Sequence, residues 1–289
     1  MSQEVLRIEN LKQHFTSGKG IFAKGYTIKA VDGVSFSVKR GETLGLVGES
    51  GCGKSTLGRT ILKLYEPTEG KIFFEGEDIT DFTVKQMRPL RKDMQVVFQD
   101  PLESLNQRHT IGMILEEPFV IHNIGTSAER RKWAAELLEK VGLPADAITR
   151  YPHEFSGGQR QRIGIARAIA LKPKLLICDE SVSALDVSVQ AQIINLLLKL
   201  QQEMNLAMIF ISHDLSVVRQ VSDNVAVMYF GEMVEYGPAK EVYQSPKADY
   251  TKTLLSAIPV NHPKDRKKKR KAELESKKIS AGTPQQETA

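Results

Sequence analysis

The chain has 289 residues, of which 41% are hydrophobic and 26% are charged, as is ordinary for a globular protein that buries a core. No apolar run approaches the roughly 18 residues that a membrane-spanning helix needs, and the first residues lack a signal-peptide pattern. The two cysteines are too few for a disulfide framework, which favours a reducing, cytoplasmic setting.

The net charge of +5 is concentrated near the end of the chain. Residues 264–278 hold nine basic and three acidic residues, so the remaining 31 basic and 32 acidic residues nearly balance. Such a run is usually a solvated, disordered tail, and attraction to anionic lipid is an alternative. We therefore predict no nucleic-acid partner.

Short β-branched runs alternate with helical patterns, which predicts an α/β protein with a central sheet. The expected strands are "VLRI", "GVSFSV", "TLGLV", "KIFF", "MQVVFQ", "KLLICD", "LAMIFIS", "NVAVMY" and "MVEY". The expected helices span residues 55–64, 127–141, 158–170 and 188–202. Residues 100–153 contain no convincing strand, which predicts a helical insertion, and a small helical appendix is expected after Tyr236.

The stretch "LGLVGESGCGKSTLGRTIL" has the pattern of a phosphate-binding loop between an apolar strand and a helix. Its glycines let successive backbone N–H groups surround a phosphate, Lys54 reaches the β- and γ-phosphates, and the Ser55 hydroxyl is a ligand for Mg²⁺. A plain glycine-rich turn before a helix is the alternative interpretation. The nucleotide contacts predicted here are Gly48, Glu49, Ser50, Gly51, Cys52, Gly53, Lys54, Ser55 and Thr56.

The apolar run "KLLICDES" ends in two carboxylates, Asp179 and Glu180. Beside a phosphate loop, Asp179 suits the coordination sphere of Mg²⁺, and Glu180 is placed to polarise an attacking water as a general base. Two acids at a strand end are otherwise explained by solvation alone.

Two further polar residues follow predicted strands. Gln99 ends "MQVVFQ", where its amide can contact Mg²⁺ or the attacking water, and His213 ends "AMIFISH". An isolated histidine of this kind is more often structural than catalytic.

The segment "FSGGQR" combines a helix-capping serine, Ser156, with Gly157 and Gly158. The exposed N–H groups of such a helix start suit an anion, but without a lysine they bind weakly alone. We interpret the segment as a clamp for a phosphate that is held elsewhere. An ordinary capped helix is the alternative.

Taken together and in this order, these segments resemble the nucleotide-binding subunits of ATP-binding cassette (ABC) transporters. "GESGCGKST" is similar to the Walker A motif, Gln99 to the Q-loop, "FSGGQ" to the signature motif and "LLICDE" to the Walker B motif. "SALD" is similar to the D-loop and His213 to the switch histidine, and the resemblance runs from Leu6 to about Pro259.

The resemblance implies an α/β fold: a P-loop NTPase (RecA-like) core with an antiparallel β subdomain, an inserted helical subdomain and a small C-terminal extension. The corresponding ranges are 1–98 and 156–235 for the core, 99–155 for the helical subdomain, 236–262 for the extension and 263–289 for the basic tail. It also implies ATP and Mg²⁺ as cofactors, with hydrolysis by Glu180, His213 and Gln99. The metal would be held by Ser55, Gln99 and Asp179.

The family further implies that two such domains pack head to tail. Each signature segment then caps the ATP held by the other subunit. On this chain the contacts in trans would come from Ser156, Gly157, Gly158, Gln159 and Asp186.

A closer resemblance, to the oligopeptide/dipeptide importer branch and its OppF/AppF/DppF-like subunit, rests on four segments. They are "FQDPLESLNQRHTIGMILEEPF", "YPHEFSGGQRQRIGIARAIA", "SALDVSVQAQ" and "DYTKTLLSAIP". This branch implies a different second ATPase subunit, two transmembrane permeases, an extracytoplasmic peptide-binding protein and a peripheral position at the cytoplasmic face of the membrane. Alternatives are another solute of the same branch, such as nickel or glutathione, and a soluble ABC ATPase outside transport.

The sequence departs from this branch in several places. Ser181 stands where the branch usually has proline, and no cysteine follows Cys178, so no iron–sulfur cluster is expected. For adenine stacking the resemblance favours Phe15, with Tyr26 as the alternative. Cys52 lies at a predicted helix start, where a thiol pKa tends to fall, so we expect alkylation to block ATP binding.

Overall fold

The structure is a computed structural model that describes residues 3–17, 26–100, 104–183 and 185–257. These residues form two β-sheets and nine α-helices, with three short 3₁₀ helices. The α/β fold class expected from the sequence is confirmed.

The central sheet has six strands in the order β10-β9-β3-β8-β7-β6, and only β10 runs antiparallel to its neighbour. Its strands are β3 (Thr43–Val47), β6 (Met94–Val97), β7 (Leu175–Asp179), β8 (Ala207–Ile211), β9 (Asn224–Tyr229) and β10 (Glu232–Pro238). Every residue of β3, β7 and β8 is buried, as expected for parallel strands covered on both faces. Their continuous apolar runs are therefore what made them recognisable in the sequence.

The second sheet is antiparallel, in the order β2-β1-β4-β5. It contains β1 (Glu4–Ser17), β2 (Tyr26–Lys39), β4 (Glu69–Phe74) and β5 (Glu77–Asp78). Strands β1 and β2 are longer than the sequence predicted, because their pairing continues through several register shifts as far as Ser17 opposite Tyr26. Residues 18–25, which connect the two strands, lie outside the described residues.

Two of the described α-helices precede β6, namely α1 (Lys54–Ile61) and α2 (Val84–Met87). Five lie between β6 and β9: α3 (Ile111–Ile121), α4 (Ser127–Lys140), α5 (Gly157–Ile169), α6 (Val187–Met204) and α7 (Leu215–Val221). Two follow β10, namely α8 (Ala239–Gln244) and α9 (Asp249–Ala257). Helix α4 begins at a capping box, in which Thr126 and Glu129 satisfy each other's backbone N–H groups. The insertion after β6 is helical, as the sequence predicted, while the exact domain boundaries stay predictions.

The central sheet divides the apolar core into two clusters, because successive side chains of a strand point to opposite faces. In β7, Leu175 and Ile177 pack toward the antiparallel sheet and α1, whereas Leu176 and Cys178 pack toward the inserted helices. Phe210 of β8 is fully buried on the second face. Replacing such a phenylalanine by alanine typically costs about 3–5 kcal/mol of stability.

The C-terminal appendix consists of α8 and α9, which follow β10. The predicted disordered tail, residues 263–289, lies outside the described part of the chain. Within the described ranges, none of the helices has the length and apolar character required to span a bilayer.

Candidate active site

The predicted phosphate loop, carboxylates, glutamine and histidine lie at the carboxyl edge of the central sheet, where ligands of open α/β folds bind. The glycine-rich loop follows β3, Asp179 ends β7 and Glu180 comes next. Gln99 and His213 lie two residues beyond the ends of β6 and β8. Because these strands are parallel neighbours, residues far apart in sequence are brought together.

The glycine-rich loop wraps around the side chain of Lys54, which is only 3% exposed. The Lys54 ammonium donates hydrogen bonds of 2.8 Å to the carbonyl oxygens of Gly48 and Glu49. Gly53 has φ of +106°, and a Cβ there would lie 1.9 Å from the Ala30 carbonyl oxygen. Only glycine fits this position, and the helix α1 starts at the next residue.

Ser55 and Asp179 place two oxygen donors side by side. The Ser55 hydroxyl donates a 2.7 Å hydrogen bond to the Asp179 carboxylate, which is 6% exposed. Burial raises the pKa of Asp179, and the bond from Ser55 only partly opposes this. A divalent cation would remove the cost of burying the charge, and hard oxygen donors suit Mg²⁺.

Among the described residues, no three histidine, cysteine or acidic side chains group into a metal cage. Mg²⁺ commonly takes only one or two protein ligands and completes its octahedron with water and substrate phosphates. The Ser55–Asp179 pair fits that kind of site.

Glu180 is held in a left-handed backbone conformation, with φ of +46°. Its N–H donates to the Ile211 carbonyl (3.0 Å), and its own carbonyl accepts from the N–H (3.1 Å) and hydroxyl (2.9 Å) of Ser183. Such a conformation costs about 1–3 kcal/mol in a non-glycine residue and clusters at functional sites. Here, the hydrogen bonds to Ile211 and Ser183 fix the backbone conformation of Glu180.

The Glu180 carboxylate lies 3.7 Å from Nδ1 of His213. The Glu180 side chain is 16% exposed, whereas that of His213 is 55% exposed. A partly buried carboxylate with a polar neighbour at this distance is suited to orient a water molecule.

Ser181, which replaces the usual proline, is buried next to Cys178. Burial raises the pKa of the Cys178 thiol to about 12. With serine at position 181, Glu180 still lines the larger of the two cavities at this site.

Two cavities meet at the site, and Ser55 and Gln99 line both of them. The larger cavity, about 350 Å³, has walls formed by Ile28, Lys29, Ala30, Ser50, Gly51, Cys52, Gly53, Lys54, Ser55, Thr56, Gln99, Glu180, Phe230 and Gly231. The smaller cavity, about 330 Å³, is lined by Ser55, Arg59, Phe98, Gln99, Asp100, Ser104 and Asp179. The predicted base therefore borders the first cavity, and the predicted metal ligand borders the second.

Neither aromatic candidate for adenine stacking is among the described residues lining these cavities. Phe15 packs edge-on against Tyr65, with ring centroids 5.4 Å apart, and its cross-strand partner Ile28 lines the larger cavity. Tyr26 is 60% exposed at the start of β2. The stacking role of Phe15 stays a prediction.

Sequence reasoning missed Phe230, an exposed aromatic residue at the wall of the larger cavity. It lies in the tight turn between β9 and β10, with φ of +44°. The only sequence signal was an aromatic residue followed by glycine after a strand, which is weak without a motif.

The signature segment forms the start of α5. Ser156 accepts a hydrogen bond from the Gln159 N–H (3.3 Å), and the Gln159 side chain accepts one from the Ser156 N–H (2.9 Å). Gly158 has no room for a side chain, because a Cβ would lie 2.4 Å from Val189 of α6. Ser156 and Gln159 are exposed, and none of residues 156–159 is among the described residues that line the two cavities.

Asp186 caps the neighbouring helix α6. Its carboxylate accepts hydrogen bonds from the Ser188 hydroxyl (2.7 Å) and the Val189 N–H (3.0 Å). These bonds hold the pKa of Asp186 below its usual value, so it carries a negative charge at neutral pH. Since Val189 also packs on Gly158, the signature and D-loop segments share one surface.

The expected fall in the pKa of the Cys52 thiol was wrong, while the effect of alkylation on ATP binding stays a prediction. The residue is 6% exposed, and burial raises the pKa of its thiol even though the Lys54 ammonium lies 3.8 Å from the sulfur. The helix start alone suggested the opposite shift. A buried thiol of raised pKa is a poor target for alkylation.

Comparisons with known proteins identify the family of the chain. The ABC transporter family model matches residues 31–183, and the model of the oligopeptide/dipeptide transporter C-terminal region matches residues 234–284. The oligopeptide transport ATP-binding protein AppF of Bacillus subtilis (strain 168) is 52% identical over 98% of this chain and 86% of its own length. The oligopeptide transport ATP-binding protein OppF of the same organism is 52% identical over 91% of this chain and 85% of its own.

Solved structures give the same result. The cbiO1 protein of Clostridium perfringens, part of the ABC transporter complex cbiONQ, superposes with a TM-score of 0.72 at 29% identity, covering 84% of this chain and 92% of its own. The cassette MJ0796, dimeric in a post-hydrolysis state with ADP and phosphate, has a TM-score of 0.71 at 28% identity and covers 81% of this chain and 98% of its own. The chain therefore belongs to the ABC transporter family and is one of its ATP-binding, ATP-hydrolysing subunits.

Proposed function

We propose that this chain hydrolyses ATP with Mg²⁺ to power the uptake of oligopeptides or dipeptides across the cell membrane. The observation that carries the proposal is the convergence of Lys54, Ser55, Asp179 and Glu180 on adjoining cavities at one sheet edge. The solute class is supported by the peptide-transport role for which the relatives AppF and OppF are named, and by the peptide-transporter C-terminal region.

In this proposal, residues 48–56 hold the triphosphate through backbone N–H groups at the start of α1, and Lys54 contacts its β- and γ-phosphates. Ser55, Asp179 and Gln99 would hold Mg²⁺ directly or through water. When bound, the ion would neutralise charge on the phosphate oxygens. Phe15 is the proposed adenine contact, next to the cavity wall formed by β2.

Glu180 accepts the proton of the attacking water, and His213 stabilises the arrangement from the adjacent strand end. The 3.7 Å separation of the two side chains supports this pairing. Gln99, which borders both cavities, can contact the metal on one side and the water on the other.

The signature helix acts on a nucleotide held by a second subunit. Ser156 and Gln159 are exposed at the start of α5, whereas the cavities of the same chain are walled by other described residues. Ser156, Gly157, Gly158 and Gln159 would contact the γ-phosphate across the interface, with Asp186 beside them. The dimeric state of the MJ0796 cassette supports the pairing of two such subunits.

The remaining partners follow from the importer assignment. A different ATPase subunit completes the pair, two permeases contact the helical segment 99–155, and an extracytoplasmic peptide-binding protein delivers the substrate. The chain would then lie at the cytoplasmic face of the membrane as a peripheral subunit.

The test is peptide uptake by the assembled complex in vesicles, with ATP and Mg²⁺ supplied on the ATPase side. We expect uptake of labelled peptides to require Mg²⁺ and to be lost with Lys54→Ala, while the exposed Lys85→Ala on α2 serves as a control. Transport of nickel or glutathione but not peptides would overturn the solute class. Uptake by the Lys54→Ala complex at the wild-type rate would overturn the role of the loop.

A further inference from the structure

The C-terminal appendix touches the phosphate loop directly. The hydroxyl of Tyr250, on α9, accepts a hydrogen bond of 3.3 Å from the backbone N–H of Glu49. The two residues are 201 positions apart in the chain. This contact joins the peptide-transporter C-terminal region to the loop that holds the nucleotide.

The bond falls on a peptide group that is held from both sides. The Glu49 N–H belongs to the same planar unit as the Gly48 carbonyl, which accepts a 2.8 Å hydrogen bond from Lys54. Lys54 therefore fixes the oxygen of this peptide and Tyr250 fixes its N–H. Rotation of the unit, which would redirect the first turn of the loop, breaks both bonds.

A run of aromatic rings makes a second connection. Tyr250 packs on Tyr229 with centroids 4.2 Å apart, and Tyr229 packs edge-on against Phe230 at 4.6 Å. Phe230 lines the larger cavity, and the next residue, Gly231, donates a 2.9 Å hydrogen bond to the Cys52 carbonyl. The loop is thus held at Glu49 and again at Cys52.

The start of α9 is itself anchored to the central sheet. The Glu235 carboxylate on β10 accepts hydrogen bonds from the N–H groups of Lys247 (2.8 Å) and Ala248 (3.1 Å). Thr251, next to Tyr250, is fully buried. An anchored helix holds the tyrosine in place at little further entropic cost.

We propose that Tyr250 is a positioning residue for the phosphate loop and that α9 keeps this loop in its nucleotide-binding form. The inference rests on ATP binding at this loop and adds a role for the C-terminal appendix. Contacts between the appendix and other subunits of the assembled transporter would then change the affinity of the loop for nucleotide.

The test compares two tyrosine hydroxyls of the same appendix in the full-length chain. Tyr250→Phe removes the bond to the loop but keeps the ring, whereas Tyr243→Phe removes a 2.7 Å bond to the Leu215 carbonyl and does not touch the loop. By calorimetric titration with MgATP we expect Tyr250→Phe to weaken affinity about 2- to 12-fold, the value of one net hydrogen bond. Tyr243→Phe should bind as the wild type does.

A second readout separates positioning from general stability. In the assembled complex, Tyr250→Phe should raise KM for ATP and leave kcat unchanged, because the tyrosine does not contact Glu180 or His213. Tyr250→Leu, which also removes the ring packing, should raise KM further. Wild-type affinity in Tyr250→Phe, or an equal loss in Tyr243→Phe, would overturn the inference. If the Lys54→Ala variant bound MgATP as tightly as the wild type does, the proposed function itself would be overturned.

Discussion

The catalytic edge and the signature helix are both glycine-rich segments at the start of a helix, yet they differ in what surrounds them. At the catalytic edge, Lys54, Ser55 and Asp179 form hydrogen bonds within the loop and across to β7. At the signature helix, Ser156 and Gln159 satisfy each other's backbone and remain exposed. The catalytic edge is therefore a cavity lined by residues of this chain, whereas the signature helix is an exposed surface.

This difference indicates that the two regions contribute different parts of a nucleotide site. A helix start with free N–H groups and a capping serine attracts anions, but it binds them weakly without further donors. The strong donors lie at the other region. A pair of chains, each presenting its signature helix to the other's loop, would combine both features in a single site.

The largest effect is expected at the catalytic edge. Glu180→Gln should lower ATP hydrolysis about 10²- to 10⁴-fold, because it removes a general base while keeping the shape of the side chain. MgATP affinity should be retained, as measured by titration beside phosphate release. The exposed Glu241→Gln on α8 is the matched control. Hydrolysis at the wild-type rate would contradict the role of Glu180.

The second change tests the signature helix without unfolding it. Asp caps a helix as well as Ser does, so Ser156→Asp preserves α5 but places a negative charge at its tip. A carboxylate about 4 Å from a γ-phosphate at a partly buried site is repelled by about 4 kcal/mol. Hydrolysis by the assembled pair should therefore fall about 10²-fold or more. Measured on the isolated chain, MgATP affinity should not change.

The neutral variant Ser156→Asn controls for the loss of the hydroxyl and should retain more activity than Ser156→Asp. If Ser156→Asp weakened ATP binding to the isolated chain as much as it slowed hydrolysis in the pair, the helix would be acting on its own nucleotide.

A smaller effect is expected for His213→Ala. When the His213 and Glu180 side chains close from 3.7 Å to hydrogen-bond distance around the bound nucleotide, loss of that bond to a charged group costs about 1.5–3 kcal/mol, which corresponds to a roughly 10- to 100-fold decrease in kcat. KM for ATP should change little, because His213 is not a wall of the larger cavity among the described residues. A change in KM without a change in kcat would contradict a role beside Glu180.

The smallest effect is expected at the other end of the strands. Glu75 forms ion pairs with Arg40 (2.8 Å) and Lys174, and joins the antiparallel sheet to the start of β7. Burial alone would raise the pKa of Glu75, but the hydrogen bonds from Lys174 and Arg40 outweigh it and lower the pKa. Glu75→Gln should lower the melting temperature by no more than about 2–4 °C at pH 7 and leave ATP hydrolysis unchanged.

The pH dependence of this effect has a definite sign. Because the pKa of Glu75 is lower in the folded chain, the stabilisation is present above its ordinary pKa of about 4.3 and is lost as pH falls through the folded value. The wild type and Glu75→Gln should therefore approach the same melting temperature in acid. A difference that grew on acidification would show the opposite shift.

The parts that could be predicted from sequence are those whose conformation is local. The loop from Gly48 to Ser55 lies between a buried strand and a helix, and Gly53 has φ of +106°, a conformation that glycine adopts readily. The positions of Asp179, Glu180 and His213 follow from strand ends, which apolar runs mark clearly.

The parts that could not be predicted depend on distant contacts. Cys52 is buried in a cluster that includes Met228, from another strand, so its thiol pKa rises instead of falling. Tyr250 reaches Glu49 across 201 residues, and no spacing rule links an appendix tyrosine to a loop amide. Phe230 lines the cavity through a turn that the chain pattern did not single out.

The central claim is that the signature helix of one subunit completes the site on its partner. The most direct measurement is a structure of the assembled ATPase pair in which this chain carries Glu180→Gln, solved with MgATP. The account predicts the Ser156 hydroxyl within hydrogen-bond distance of a γ-phosphate whose β-phosphate lies on the loop of the other subunit. Ser156 facing solvent, or facing the nucleotide on its own Lys54, would contradict it.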